Sequence, residues 1–358
     1  DRWTGWRSFE VERVTEEAQA VKSFHLRPAD GGPLAPSLAG QFLTVRLPGP
    51  PEAPDLVRTW SLSDHDISGG AYRLTVKRLE GGAGSGALHD TAPGARVEVR
   101  PPAGRFTLDR SGFLRLVLIS AGIGVTPMLA MLKAHAARGD EGPPVLWLHV
   151  ARDGASHVLA EEARQALAGT RCERHVFYTA PGEGDVCGRD YDHAGRPTPQ
   201  RLQEILRRDY TLRPFGRDIE LSGDNAALYI CGPAEFEAAV REVLGAMGVP
   251  PGHIRSETFA ARARSGEGAA IASARVRFTA SGREAEWNLD DDLTLLELAE
   301  AAGLTPAFSC RMGACQTCEA TLVSGAIAYD PAPAADAAPG RVLICCARPA
   351  SAVVDLEL

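Results

Sequence analysis

No apolar run in this chain approaches the roughly 18 residues that a membrane-crossing helix needs; the longest, Leu114 to Ala121, has only strand length. No signal-peptide pattern opens it. Basic residues are outnumbered, 38 against 46 acidic. The net charge of −8 argues against nucleic acid, which favours a basic face. Internal repeats are missing, as is low-complexity sequence beyond an Ala/Pro run near Pro331 to Pro339. These absences leave no nucleic acid and no membrane among the expected partners. The first residue is not Met, and Asp1-Arg-Trp-Thr-Gly-Trp6 reads as a join, as in a processed product or a fragment of a longer polypeptide.

Cysteine is scarce until residue 309, after which five of the eight appear, so they serve one local task and not a disulfide framework. They read Cys310-Arg-Met-Gly-Ala-Cys315-Gln-Thr-Cys318, then Cys345-Cys346. C-x4-C-x2-C with a distant fourth cysteine is the plant-type ferredoxin spacing, in which four thiolates hold a [2Fe-2S] cluster. Soft thiolates suit iron and sulfide, and Gly313, with small Ala314 and Thr317, suits a loop that brings backbone close to the cluster. Zinc is the rival, but zinc sites pair two short clips; here one clip has three cysteines and no histidine follows. A thiolate-bound cluster fits a reducing compartment, so a cytoplasmic location is expected. From Ser273 onward acidic residues outnumber basic ones twelve to six, which would steer toward a basic partner or simply solvate a face.

A length of 358 residues predicts two or three domains. From Phe9 to about Leu108 short strands alternate with period two, among them Phe42 to Leu47, Tyr72 to Lys77 and Arg96 to Arg100, which suggests a small antiparallel barrel. From Leu114 the rhythm changes to strands at Leu116 to Ser120, Val145 to Val150, His175 to Tyr178 and Ala227 to Cys231. Helices at Pro127 to Arg138, Ala160 to Ala168, Gln200 to Arg208 and Glu235 to Met247 alternate with them, the pattern of a parallel sheet with helices on both faces. The expected domains are 1–110 (barrel), 111–261 (α/β), a linker 262–272 rich in Gly and Ser, and 273–358, a small α+β unit with a helix from Thr294 to Ala302.

A cluster takes one electron at a time, whereas NAD(P)H gives two as hydride; a flavin converts between them. Both sites should therefore be present. Arg58-Thr59-Trp60-Ser61 offers a phosphate clamp, a stacking aromatic and a hydroxyl for flavin N5, although a core aromatic between strand residues would read the same way. Val76-Lys77-Arg78 follows, then Gly81-Gly82-Ala83-Gly84-Ser85, a glycine-rich turn that opens a short helix. His89 has no identifiable partner and reads as a surface or capping residue. Ser120-Ala-Gly122-Ile-Gly124-Val-Thr126-Pro127 lies after a strand and before a helix, as a dinucleotide pyrophosphate requires, yet Pro127 departs from G-x-G-x-x-G. Tyr229-Ile-Cys231-Gly232-Pro233 ends another strand, the edge where ligands bind in open α/β sheets.

In this order the motifs resemble the ferredoxin–NADP⁺ reductase superfamily with a C-terminal plant-type ferredoxin domain. The resemblance spans nearly the whole chain and implies a flavin barrel, a pyridine-nucleotide domain and a β-grasp cluster domain. It implies flavin binding by Arg58, Thr59, Trp60, Ser61, Thr75, Val76, Lys77, Gly82, Gly84 and Ser85. It brings Gly122, Gly124, Thr126, Pro127, Cys231, Gly232 and Pro233 to the nicotinamide nucleotide, with Ser61 and Cys231 catalytic. The family has Tyr where Trp60 stands, and indole still stacks. The segment Gly182 to Pro197 is longer than usual and resembles bacterial reductase modules fused behind other domains. Pro101-Pro-Ala-Gly104-Arg-Phe106 resembles FAD-binding flavohaemoglobin-type members, which makes FAD the expected flavin; FMN, carried by phthalate-dioxygenase-reductase-like members, is the alternative. NADH and NADPH both stay open; Arg152, just after a strand, would hold a 2′-phosphate or be a solvated loop residue.

The resemblance implies an NAD(P)H:acceptor reductase that passes hydride to the flavin and single electrons through the cluster to a partner oxygenase, haem protein or fused domain. An iron–sulfur redox-sensing module without steady turnover is the alternative. Metal ligands would be Cys310, Cys315, Cys318 and one of Cys345 and Cys346. Arg341 to Ala347 reads as a strand, so only one of the two thiols faces the cluster without a bulge, and alternation does not choose between two equally apolar faces. The family pattern places the ligand at Cys345 and leaves Cys346 as a small buried hydrophobe.

Overall fold

The computed structural model describes residues 3, 5–49, 55–108, 113–139, 142–207, 210–212, 219–221, 226–259, 271–291, 293–308, 311, 313, 316–330, 333 and 337–358. The chain divides into two compact units, Asp1–Phe259 and Ala260–Leu358. Most of the expected linker, and both Cys310 and Cys315, lie outside the described residues.

The first unit opens with six antiparallel strands: β1 (Arg7–Ala18), β2 (Val21–Pro28), β3 (Phe42–Leu47), β4 (Leu56–Ser61), β5 (Tyr72–Lys77) and β6 (Arg96–Val99). Their order is β4-β3-β6-β1-β2-β5, and an antiparallel bridge between Leu62 and Leu74 joins the two outer strands into a barrel. Closure leaves no open edge. Alternate inward residues fill the interior, with Phe9, Phe24, Leu26, Leu43, Val45 and Leu74 fully buried. Helix α1 (Ala83–His89) lies against the barrel. His89 corrects the expectation of a surface residue: it is buried, its Nε2 lies 2.8 Å from the Val76 carbonyl, and its edge meets Phe24 at 5.7 Å. The imidazole pins α1 to β5.

The same unit continues with β7 (Leu116–Ala121), α2 (Val125–Ala136), β8 (Val145–Ala151), α3 (Ala160–Ala168), β9 (Cys172–Tyr178), β10 (His193–Ala194) and α4 (Pro199–Leu206). A separate pair, β11 (Tyr210–Leu212) with β12 (Ile219–Leu221), precedes β13 (Ala227–Gly232), α5 (Ala234–Ala246) and β14 (Ile254–Thr258). The sheet runs β10-β9-β8-β7-β13-β14, and every neighbouring pair is parallel. β7 and β8 are buried along their whole length, as a sheet covered on both faces requires. Strand order reverses between β7 and β13, which makes their carboxyl ends a topological switch point. The long segment Gly182 to Pro197 contributes β10, an extra edge strand.

A closed ring of four charges joins the barrel to the sheet's helices. Arg73 on β5 reaches Glu162 on α3 (2.6 Å), Glu162 reaches Lys133 on α2 (2.5 Å), and Lys133 reaches Asp64 after β4 (2.7 Å). Arg73 closes the circuit to Asp64 at 3.7 Å. Burial alone would raise the Glu162 carboxyl, but hydrogen bonds from Arg73 and Lys133 outweigh it and hold the group below its ordinary range. A depressed carboxyl stabilises the fold above its unfolded pKa, and the contribution fades as pH falls through the folded value. Acid therefore loosens this seam. Lys133→Met is expected to cost about 1–3 kcal/mol, since two acceptors lose a charged donor, with iron content untouched. Urea unfolding followed by flavin fluorescence checks it; an unchanged midpoint would show that the ring carries no load.

The second unit holds β15 (Ser273–Phe278), β16 (Arg283–Asn288), α6 (Leu295–Ala301), β17 (Glu319–Ser324), β18 (Ile327–Tyr329), β19 (Arg341–Leu343), β20 (Ala347–Pro349) and β21 (Val353–Glu357). Five strands form a mixed sheet, β16-β15-β21-β17-β19, and β18 pairs with β20. Thr294 and Glu297 form a capping box at the start of α6, whose Leu295, Leu296, Leu298 and Ala299 pack into the core with Phe278, Trp287 and Leu356. One expectation fails here. Arg341 to Ala347 is not a continuous strand: Ile344–Cys346 form a turn between β19 and β20, closed by the Cys346 N–H on the Leu343 carbonyl at 3.0 Å. The backbone of Ile344 explains the break. Its N–H goes to the Cys318 carbonyl (3.3 Å) and its carbonyl accepts from Leu296 N–H in the first turn of α6 (2.9 Å), one of the donors a helix start leaves unpaired.

Candidate functional site

β4 presents the first set of expected residues. Arg58 is exposed, Thr59 and Trp60 are half-buried, and Ser61 is buried. Gly84 lies directly on Arg58: a Cβ added there would sit 2.5 Å from Arg58 Cγ, so a side chain at this position would push the guanidinium stem aside. Gly82 precedes α1, and the Ser85 hydroxyl accepts from Leu79 N–H (3.0 Å) while donating to the Gly82 carbonyl (3.2 Å). That hydroxyl is spent on folding the turn. The Thr75 hydroxyl is likewise engaged, between Ser23 Oγ (2.8 Å) and Ser63 Oγ (2.7 Å). Val76 belongs to the barrel core and Lys77 is exposed. The structure thus gathers Arg58, Gly82, Gly84 and Ser85 at one place, turns Val76 into the barrel core, and sets Thr75 on the opposite face of β5, the face from which Arg73 reaches Glu162.

The second set meets at the switch point. Gly122–Gly124 form one tight 3₁₀ turn between β7 and α2, and Gly122 has a φ of +54°. Gly124 passes so near β13 that a Cβ would lie 2.2 Å from the Cys231 carbonyl oxygen and 2.9 Å from Gly232 N. Thr126 returns its hydroxyl to the Ile123 carbonyl (3.0 Å), and Pro127 is buried within the first turn of α2. Pro233 is exposed just beyond β13. Arg152 stands apart after β8, 79% exposed, with Asp153 as its neighbour at 3.8 Å.

Ser61 brings the two sets together: its hydroxyl donates to Glu257 Oε2 at 3.0 Å across the barrel and the sheet. Glu257 is in register with Cys231 on the adjacent parallel strand, and Cys231 with Ser120. Cys231 is fully buried; burial, then the Glu257 and Glu237 carboxylates, push its thiol well above the ordinary range. It stays protonated. Glu257 escaped the sequence reading because a lone carboxylate in Ile254–Thr258 carries no motif; only strand register brings it beside Cys231.

Ser120 continues the row, its hydroxyl 2.9 Å from His149 Nδ1. His149 stacks on His157 at 4.7 Å, and His157 Nδ1 meets the Tyr178 hydroxyl at 3.0 Å. Burial depresses both imidazoles, His157 to about 4, so both are neutral at physiological pH.

In the second unit, Cys318, Cys345 and Cys346 are buried. The Gly313 N–H donates to Cys345 Sγ at 3.2 Å, the type of backbone hydrogen bond that tunes a cluster sulfur. Gly313 has a φ of +65°, and a Cβ there would meet Pro333 at 2.5 Å and Cys346 Sγ at 2.9 Å. Arg311 and Gln316 also adopt left-handed backbone. Backbone amide on sulfur, the close approach of Gly313 and soft donors fit a cluster.

Three domain families match in chain order. Residues 9–108 match the oxidoreductase FAD-binding domain, 118–242 the oxidoreductase NAD-binding domain, and 278–350 the 2Fe-2S iron-sulfur cluster binding domain. FAD is therefore the flavin of the matched barrel. The flavohemoprotein of Bordetella pertussis is 37% identical over 263 residues, covering 72% of this chain and 61% of that protein. The chain thus spans about three fifths of the curated relatives it matches. A solved phthalate dioxygenase reductase, a modular structure for electron transfer from pyridine nucleotides to [2Fe-2S], covers 99% of this chain and 98% of its own at 25% identity, with a TM-score of 0.64. The flavohem-like FAD/NAD-binding domain of a nitric oxide dioxygenase from Vibrio cholerae covers 71% of this chain and 98% of its own, at 29% identity and a TM-score of 0.57. From barrel to cysteine loop, the chain belongs to the ferredoxin–NADP⁺ reductase superfamily, in the arrangement that ends in a 2Fe-2S ferredoxin domain.

Proposed function

We propose that this chain is an NAD(P)H-dependent reductase that feeds single electrons to an acceptor protein or fused domain such as an oxygenase or a haem protein. FAD held at Arg58, Trp60 and the α1 turn would supply hydride acceptance from the nicotinamide, and a [2Fe-2S] cluster held by the cysteines would supply single-electron transfer. Arg58 clamps phosphate and Trp60 offers a stacking face, while the glycines of the α1 turn let backbone come close. Gly122, Gly124, Gly232 and Pro233 form a low rim at the switch point over which the nucleotide lies. Ser61 holds or moves a proton at its Oγ, with Glu257 Oε2 as its partner, and neutral Cys231 fills the floor without adding charge. Cys310, Cys315, Cys318 and Cys345 hold the cluster. The Ser61–Glu257 contact carries this reading, because it sets the flavin-facing strand against the nucleotide edge. The domain order disfavours a redox sensor without turnover. A cytoplasmic, reducing compartment suits the cluster, and among the described residues no helix is long and apolar enough to cross a membrane.

The test is anaerobic titration of the purified chain with NADH and NADPH in parallel. Flavin bands and the broader cluster absorption should both bleach with one of them, alongside two irons and two sulfides per chain. Zinc without iron, or bleaching of neither band, would reject the proposal.

A further inference from the structure

The turn at Ile344–Cys346 changes what the two adjacent cysteines can do. In a strand their side chains would point to opposite faces. In the turn their sulfurs lie 3.7 Å apart, both buried. For metal–sulfur bonds of about 2.3 Å, two thiolates on one tetrahedral metal are about 3.8 Å apart, so this spacing is the edge of a single coordination sphere. The cysteine loop touches both: Gly313 donates its N–H to Cys345 Sγ at 3.2 Å, and its missing Cβ would stand 2.9 Å from Cys346 Sγ. Any larger residue at position 313 would push Cys346 away from the loop. Both sulfurs therefore line one short stretch of the backbone that wraps the cluster.

We propose that Cys346 is an alternate ligand to the same iron as Cys345, able to hold the cluster when Cys345 does not. This rests on the cluster reading above. The exchange is redox-neutral: the Cys345–iron bond breaks, a Cys346–iron bond forms, and the proton of the Cys346 thiol passes to the Cys345 sulfur. Where Cys345 is absent, that proton leaves to solvent. A side-chain rotation of about one sulfur diameter suffices, and the backbone hydrogen bonds of Ile344 to Cys318 and Leu296 stay in place.

Iron and sulfide per chain and the reduced-state electron paramagnetic resonance spectrum are measured on four full-length proteins: wild type, Cys345→Ala, Cys346→Ala and the double variant. Cys346→Ala should keep the wild-type iron and spectrum. Cys345→Ala should keep at least half of the iron with displaced g values, and the double variant less than a tenth. Loss of iron from Cys345→Ala as complete as from the double variant, with FAD content unchanged, overturns the proposal. So does loss from Cys346→Ala with a native spectrum in Cys345→Ala, which would make Cys346 the sole ligand. Should Cys345→Ala fail to fold, Cys345→Val fills the space without a donor atom; its iron must then vanish on adding Cys346→Ala, and iron that survives there refutes the idea. A wild type without iron would instead bring down the cluster reading, and this inference with it.

Discussion

Gly124→Val should abolish reduction by the nicotinamide, lowering the rate of flavin bleaching by more than a hundredfold. The position has no room to give: the added Cβ would fall 2.2 Å from the Cys231 carbonyl oxygen and 2.5 Å from its carbon. Backbone, not a flexible side chain, stands in the way, so the start of α2 must move off β13. Overpacking of this kind costs about 1–3 kcal/mol, and a displacement of about 1 Å at a reacting site costs about a hundredfold in rate. The second unit shares none of this contact, and its iron content should stay at the wild-type level. Stopped-flow mixing with NADH or NADPH under anaerobic conditions reads the rate. A Gly124→Val protein that bleaches within threefold of wild type would show that the nucleotide lies elsewhere.

Ser61→Ala carries the next largest effect, about a hundredfold on the same rate, the usual scale for losing one positioned proton-handling group. The Michaelis constant for the nucleotide should change less than threefold, because Ser61 lies on the barrel side. Removing the hydroxyl also leaves the Glu257 carboxylate without the donor it has at 3.0 Å. Glu257→Gln keeps the shape and a hydrogen-bond acceptor but loses the charge, and should retain more activity than Ser61→Ala. Glu257→Ala should fall as far as the serine variant. A double variant no slower than either single one would show that the two act as a unit; strictly additive losses would separate them and remove Glu257 from the site.

Much of this was legible in the sequence for plain reasons. Period-two alternation in Phe42 to Leu47 and Tyr72 to Lys77 gave barrel strands, and the helix at Ala160 to Ala168 has the observed bounds. Buried strands followed by glycine-rich turns mark the edge of an open α/β sheet where ligands bind. What local pattern cannot show is where backbone groups are spent. Residues 341–347 look like a strand, yet Ile344 is claimed by α6 and by Cys318, both distant in sequence. His89 reads as a solvent-facing residue until β5 supplies the Val76 carbonyl. Glu257 gains its meaning only from parallel register with Cys231. Thr75 likewise has partners that no local pattern shows, since its hydroxyl meets Ser23 and Ser63, 52 and 12 residues away in sequence.

The charge ring of Arg73, Glu162, Lys133 and Asp64 has a bearing on what an incoming acceptor senses. Two positive and two negative groups cancel at close range, so beyond a Debye length of about 8 Å the seam is electrically silent. The surplus of acid after Ser273 is not cancelled in this way. On the proposed function, the charges a docking acceptor would meet and those that align barrel and sheet lie in separate sets of residues. A lineage could rewrite its surface for a new acceptor, charge by charge, without disturbing the geometry at Ser61.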